Sequence, residues 1–201
     1  MAENAEETWK TNMEALMARV DGIKKEIEEM GSMGDSVGIT DAEKQQAYGL
    51  GYQFFQQKKY DNAMIIFEAL YVLDPLNADY SKAIAVTLQM QGNLGDAAIQ
   101  YLMTYFFHQE DLSMAMFSAR CMIELGGGEQ AYYVLRSIVD AKRYPSTPNN
   151  DHCLEIISAM LEGLKGSMKK SRAKKSVTKD KAVGDEPSSE QTSTPAPAPT
   201  K

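Results

Sequence analysis

The sequence predicts an all-α fold of stacked helix pairs, and three observations carry that expectation. Small residues recur with a period of 34, as Ala63, Ala97 and Ala131 in one series and Gly51, Ala85 and Ala119 in another. A small side chain at both places marks where the two helices of a pair approach most closely, because a larger one would hold them apart. From Thr40 to about Met168 the apolar residues fall at helical spacing, almost free of the alternation that marks strands.

Ahead of this region, Trp9, Met13, Leu16, Val20, Ile23, Ile27 and Met30 alternate steps of four and three. That heptad seam predicts an amphipathic helix over residues 1–30. Its stripe must be buried against the chain's own domain, a second copy of the chain or a partner helix. Trp9, Met13, Leu16, Val20, Ile23 and Ile27 are the candidate dimerisation residues. Residues 31–39, rich in Gly and Ser, then read as a flexible linker. Helicity restarts at Thr40-Asp41-Ala42-Glu43, a capping box in which the Thr40 hydroxyl and Glu43 carboxylate each take a free backbone amide.

The repeats that follow match the tetratricopeptide signature. In residues 44–77, Leu50-Gly51 and Phe54 fit the first helix, Ala63 and Phe67 the second, and Pro75 stops the repeat. The opening aromatic is replaced by Ala47, and Leu70 stands where a small residue is usual. Residues 78–111 keep Ile84-Ala85, Leu88, Gly92, Ala97 and Tyr101; residues 112–145 keep Ala119, Met122, Ala131 and Leu135, with Gly126-Gly127-Gly128 as the turn. One further period from Ala119 lands on Cys153, so residues 150–168 are expected to cap the last apolar face. The predicted architecture is therefore a tetratricopeptide-repeat superhelix of three helix pairs, a C-terminal capping helix and an N-terminal amphipathic helix. Residues 169–201, basic and then Pro-rich, are expected to be disordered, because they cannot bury enough apolar area to offset their ordering entropy.

Composition narrows the function. Residues 1–168 carry 13 Lys/Arg against 24 Asp/Glu, a formal −11, while residues 169–201 carry 8 against 4. An acidic folded part argues against binding nucleic acid by bulk electrostatics. The opening Met-Ala-Glu-Asn-Ala-Glu-Glu lacks the basic and apolar regions of a secretory signal. The most apolar stretch, Ala63 to Leu73, is too short to cross a bilayer. Only Cys121 and Cys153 are present, which fits a reducing cytoplasm. Cys153 stands where the repeat calls for a small side chain, and His108 has no Cys or His at ligand spacing. With no phosphate loop, nucleophile elbow or HExxH motif, the expectation is no enzyme, no cofactor and no metal.

The groove can be read from the repeat register. Positions 2, 5, 9 and 12 of each first helix point inward, which gives Gln45, Tyr48, Tyr52 and Phe55; Asp79, Lys82, Val86 and Gln89; and Ser113, Met116, Arg120 and Ile123. Repeats that clamp a C-terminal carboxylate need Lys and Asn at the first-repeat positions held here by Tyr48 and Tyr52. The aromatic face suits an extended segment with apolar anchors instead, and Met116 adds an adaptable contact.

The stretch from Tyr48 through Tyr60 to Ala63, continuing Ile66-Phe67-Glu68-Ala69-Leu70-Tyr71-Val72-Leu73-Asp74, resembles the first repeat of the class II (translocator) chaperones of bacterial type III secretion. Met90 to Ala97 matches the second repeat of that family. The resemblance covers about residues 40–165. It implies a cytoplasmic bacterial chaperone that keeps hydrophobic, pore-forming translocator proteins soluble until export and grips a short segment containing proline and leucine. It places groove tyrosines at Tyr48 and Tyr60, with Phe55 at another aromatic position. It further implies a homodimer formed through the N-terminal helical region and, for some members, assistance to a transcription regulator. The alternative is a general tetratricopeptide-repeat scaffold or co-chaperone for a cytosolic complex. The third repeat diverges from the family, and the basic tail has no counterpart in it.

Overall fold

The computed structural model describes residues 2–182, and side chains within residues 7–171. The chain divides into two units, Met1–Lys165 and Gly166–Lys201. Among the described residues there is no strand. The helices are α1 (Ala2–Met30), α2 (Met33–Ser36), α3 (Asp41–Gln56), α4 (Tyr60–Leu73), α5 (Ala78–Met90), α6 (Leu94–Phe107), α7 (Leu112–Glu124), α8 (Gly128–Ala141) and α9 (Pro148–Ala182).

Three antiparallel pairs, α3–α4, α5–α6 and α7–α8, stack in sequence order, each against the next. The small-residue series sits where the helices touch. Gly51, Ala63, Ala85, Ala97, Ala119, Ala131 and Cys153 are all buried. At Gly51 an added Cβ would lie 2.7 Å from Cε1 of Phe67, so the missing side chain is what lets that ring slide beneath α3. The α3 capping box forms as expected: Thr40 N–H donates to Glu43 Oε2 at 2.9 Å and Glu43 N–H to Thr40 Oγ1 at 3.3 Å.

The turn inside each pair is the same device. In the first, Lys58 N–H donates to the Phe55 carbonyl and Lys59 N–H to the Phe54 carbonyl; Gly92 and Asn93, then Gly126 and Gly127, repeat the pattern. This Schellman motif needs a left-handed residue after the C-cap. Gly92 and Gly126 supply it without strain at φ 82° and 83°, whereas Lys58 adopts φ 60° with a side chain attached.

The hydrophobic residues form two clusters of unequal size. Ala63, Met64 and Phe67 of the first repeat make a small one with Ile84 of α5. The larger joins repeats two and three to α1 and the start of α9, through residues such as Met17, Tyr105, Leu112, Leu135, Ile138 and Ile157. Asn150, fully buried at the start of α9, ties this end together. Its side-chain oxygen accepts from Leu112 N–H, and its amide donates to the carbonyls of Glu110 and Pro145.

The structure bears on three expectations about the flanking segments. The seam of α1 folds back on its own unit, against α8 and α6. Met13 and Val20 are buried there, Trp9 is half-buried and stacks on Tyr133 at 6.0 Å, and Met17, outside the heptad pattern, is fully buried. Lys24 donates to the Phe107 carbonyl and Arg143 pairs with Asp21, both locking the helix in place. The buried stripe, Trp9–Met13–Met17–Val20–Lys24, follows the 3.6-residue period of a straight helix rather than the 3.5 of a coiled coil. Leu16 and Ile23 are therefore left exposed and Ile27 half-exposed.

Residues 31–39 are likewise not a slack joint. Ser32 caps α2 by accepting from Gly34 N–H, and its hydroxyl donates to the Leu73 carbonyl at 2.9 Å. Gly34 is buried beside the Lys44 side chain, whose ammonium pairs with Asp41 at 2.7 Å. Finally, α9 does not end at Met168. The segment after it contains Lys, Arg, Ala and Ser without Gly or Pro, and helix continues to Ala182. Residues 169–182, expected to be disordered, are thus helical in the structure; residues 183–201, with Pro195, Pro197 and Pro199, lie outside the described residues.

Candidate functional site

Where α3, α4 and α5 meet, an open pocket of about 160 Å³ is lined by Tyr48, Tyr52, Phe55, Phe67, Lys82, Ala83 and Val86. That is comparable to the cavities of about 150 Å³ that accept one benzene-sized group, so it has room for one aliphatic side chain. Tyr48 is half-buried, its ring 5.5 Å from that of Phe67 and 5.8 Å from that of Tyr80. Burial, with Asp79 adding to it, pushes the Tyr48 phenol above its usual range, so it is a neutral hydrogen-bonding group at any physiological pH. Tyr52, half exposed, stacks on Phe55, and Phe55 meets Tyr60 at 5.5 Å. The wall is therefore a continuous aromatic surface with hydroxyls at its edge, suited to an apolar side chain and the backbone around it.

Five of the expected groove residues come together here: Tyr48, Tyr52, Phe55, Lys82 and Val86. Tyr60 joins them through Phe55. Gln89 is committed elsewhere, accepting from the Tyr101 hydroxyl at 2.7 Å. Arg120 and Ile123 are exposed on α7, away from the pocket lining. Met116 is corrected: it is 7% exposed and belongs to the main core, because repeat three is enclosed on both sides. Phe67 and Ala83 line the pocket although the groove register does not select them. The signal for Phe67 was Gly51, whose hydrogen side chain opens the path by which the ring reaches the groove.

The residues set aside as reactive candidates are packed or unsupported. Cys121 and Cys153 are buried free thiols, and burial pushes both above the ordinary thiol range, away from the nucleophilic thiolate. His108 is buried with its Nε2 unpartnered, and burial holds its pKa below the usual value, so it stays neutral. Among the described residues no group of His, Cys, Asp and Glu is arranged to hold a metal ion, and no helix is long and apolar enough to cross a membrane.

The stacked helix pairs have the tetratricopeptide-repeat fold, and the tetratricopeptide-repeat family model matches residues 46–77. Solved structures of similar fold include type III secretion proteins. A type III secretion complex from Aeromonas hydrophila aligns at a TM-score of 0.60 and 22% identity, covering 74% of this chain and 98% of that one. The Yersinia enterocolitica translocator chaperone SycD aligns at 0.56 and 22%, covering 66% and 98%. PcrH of Pseudomonas aeruginosa, bound to the chaperone binding region of PopD, aligns at 0.55 and 25%, covering 65% and 97%. The resemblance read from the first two repeats and the similarity in fold thus point to the same group, the translocator chaperones. No curated protein matches by sequence.

Proposed function

We propose that this chain is a cytoplasmic chaperone of bacterial type III secretion, without catalytic activity, that holds an extended apolar segment of a hydrophobic translocator in the Tyr48–Val86 pocket until export. The observation that carries this reading is the open aromatic pocket on a fold shared with PcrH, which has been solved with the chaperone binding regions of PopD and PopB. SycD, of the same fold, has been solved with a peptide of the translocator YopD. A pore-forming client exposes apolar segments that aggregate in water, and covering one in a preformed groove requires little rearrangement of the chaperone. An assisting role toward a transcription regulator has no support among the similar structures and forms no part of the proposal.

Titration calorimetry with a translocator segment tests it. Tyr48→Ala should weaken binding by about 2 kcal/mol, roughly thirtyfold. Unchanged affinity in that variant, with helicity intact by circular dichroism, would remove the groove from the account.

The chain is also proposed to form a homodimer. Trp9, Met13 and Val20 are occupied internally, which leaves Leu16, Ile23 and Met30 as the exposed line on α1 that a second copy would cover. SycD structures include an alternative dimer. Ile23→Asp should reduce the sedimenting particle to a single chain; a wild-type protein that already sediments as a single chain refutes the dimer.

A further inference from the structure

Lys82 is the only charged residue among those lining the pocket, yet it is not a free cation. Its Nζ lies 2.8 Å from Asp111 Oδ2, with both side chains largely covered. Asp111 is itself held firmly. As N-cap of α7 it accepts from Ser113 N–H at 3.1 Å and also from the Ser113 hydroxyl. Burial pushes its carboxyl upward, but the hydrogen bonds from Lys82 and Ser113 outweigh burial and keep it below the usual carboxylate range.

One turn before Lys82, exposed Asp79 is near enough to Tyr48 to add to the upward push that burial gives its hydroxyl. Arg120, the other cation expected on the groove side, is exposed on α7 and is not among the residues lining the pocket. The rim of the pocket thus holds one cation already matched by Asp111, with Asp79 in surplus.

We propose that the Lys82–Asp111 ion pair sets the charge specificity of the groove, which admits an aliphatic anchor flanked by neutral or basic residues and disfavours a carboxylate beside it. This inference rests on the groove-binding reading above and refines its client class. A client carboxylate near Lys82 must either displace Asp111 from its three donors or sit among two existing carboxylates. The ammonium still has donors left for a main-chain carbonyl, which carries no charge to be opposed. In a carboxylate-clamping groove the cations stand free, and the preference is the reverse.

The test uses the full chain and three end-capped, fluorescently labelled peptides read by anisotropy. Each is the same extended host containing proline and leucine, with Ala, Lys or Asp beside the leucine. Wild type should bind the Asp peptide about threefold more weakly than the Ala peptide, the scale of one partly screened charge, and the Lys peptide at least as well as the Ala one. Asp111→Asn frees Lys82 while retaining the helix cap, because Asn caps about as well as Asp. In that variant the Asp peptide should draw level with the Ala peptide or overtake it. Lys82→Met should widen the gap instead. A flat Ala, Lys and Asp series in wild type, or the wild-type order persisting unchanged in Asp111→Asn, overturns this inference alone. Failure of all three peptides to bind wild type overturns the groove reading and this inference together.

Discussion

Repeats one and three occupy equivalent places in the 34-residue period, yet their first helices use the same register in different ways. Tyr48, Tyr52 and Phe55 on α3 correspond to Met116, Arg120 and Ile123 on α7. On α3 these residues border an open pocket; on α7 the first is swallowed by the core and the other two face solvent. The cause lies in the neighbours. Repeat three has repeat two on one side and the start of α9 on the other, with α1 laid across α8, so its interior joins the large cluster. Repeat one packs chiefly on α5, with short α2 reaching α4, and the buried cluster it shares with Ile84 of α5 has four members. A terminal repeat filled with large aromatics cannot enclose them all, and the excess stays open to solvent.

The contrast can be pressed by substitution. Leu135→Ala removes a fully buried side chain from the large cluster and should lower stability by about 2–5 kcal/mol in denaturant titrations. Half-exposed Tyr52→Ala should stay within about 0.5 kcal/mol of wild type. If the two cost the same, the division between a sealed end and an open end is wrong.

A smaller effect sharpens the account of the pocket floor. Gly51→Ala sets a Cβ 2.7 Å from Cε1 of Phe67, a ring that can yield only by tilting into the groove. It should destabilise by about 1–3 kcal/mol and weaken segment binding as well, whereas a purely structural defect would leave the affinity of the folded fraction unchanged. The smallest effect runs the other way. Lys58 holds the left-handed turn position that Gly92 and Gly126 hold in the other repeats. Lys58→Gly should stabilise the first repeat by about 1 kcal/mol, seen as a higher unfolding midpoint; no gain would mean that the Lys58 side chain compensates for its own strain.

The sequence carried the pairs, their order and most of the pocket, because small residues in step and apolar residues at helical spacing are local demands. Tyr48, Tyr52, Phe55, Lys82 and Val86 were legible for that reason: register alone puts them on one face of α3 and α5. Met116 was misread by the same rule, since register says which way a residue points but not what lies there. Met17 escaped because a 3.5-residue seam and a 3.6-residue stripe diverge slowly over a single helix, and the choice between them depends on what the helix meets. Phe67 was visible only as a core residue; its second role as pocket floor needed the position of Gly51 against it.

By itself, then, the chain determined its helices, their pairing and the aromatic character of the first repeat, since each follows from side-chain size and periodicity within some thirty residues. Tertiary structure decided which faces were covered: α1 against α8, the anchoring of the 31–39 segment by Ser32 and Gly34, Met116 inward and Tyr52 outward, Lys82 neutralised by the aspartate that caps α7. Burial and charge pairing depend on residues distant in sequence, and no local pattern encodes where they will meet.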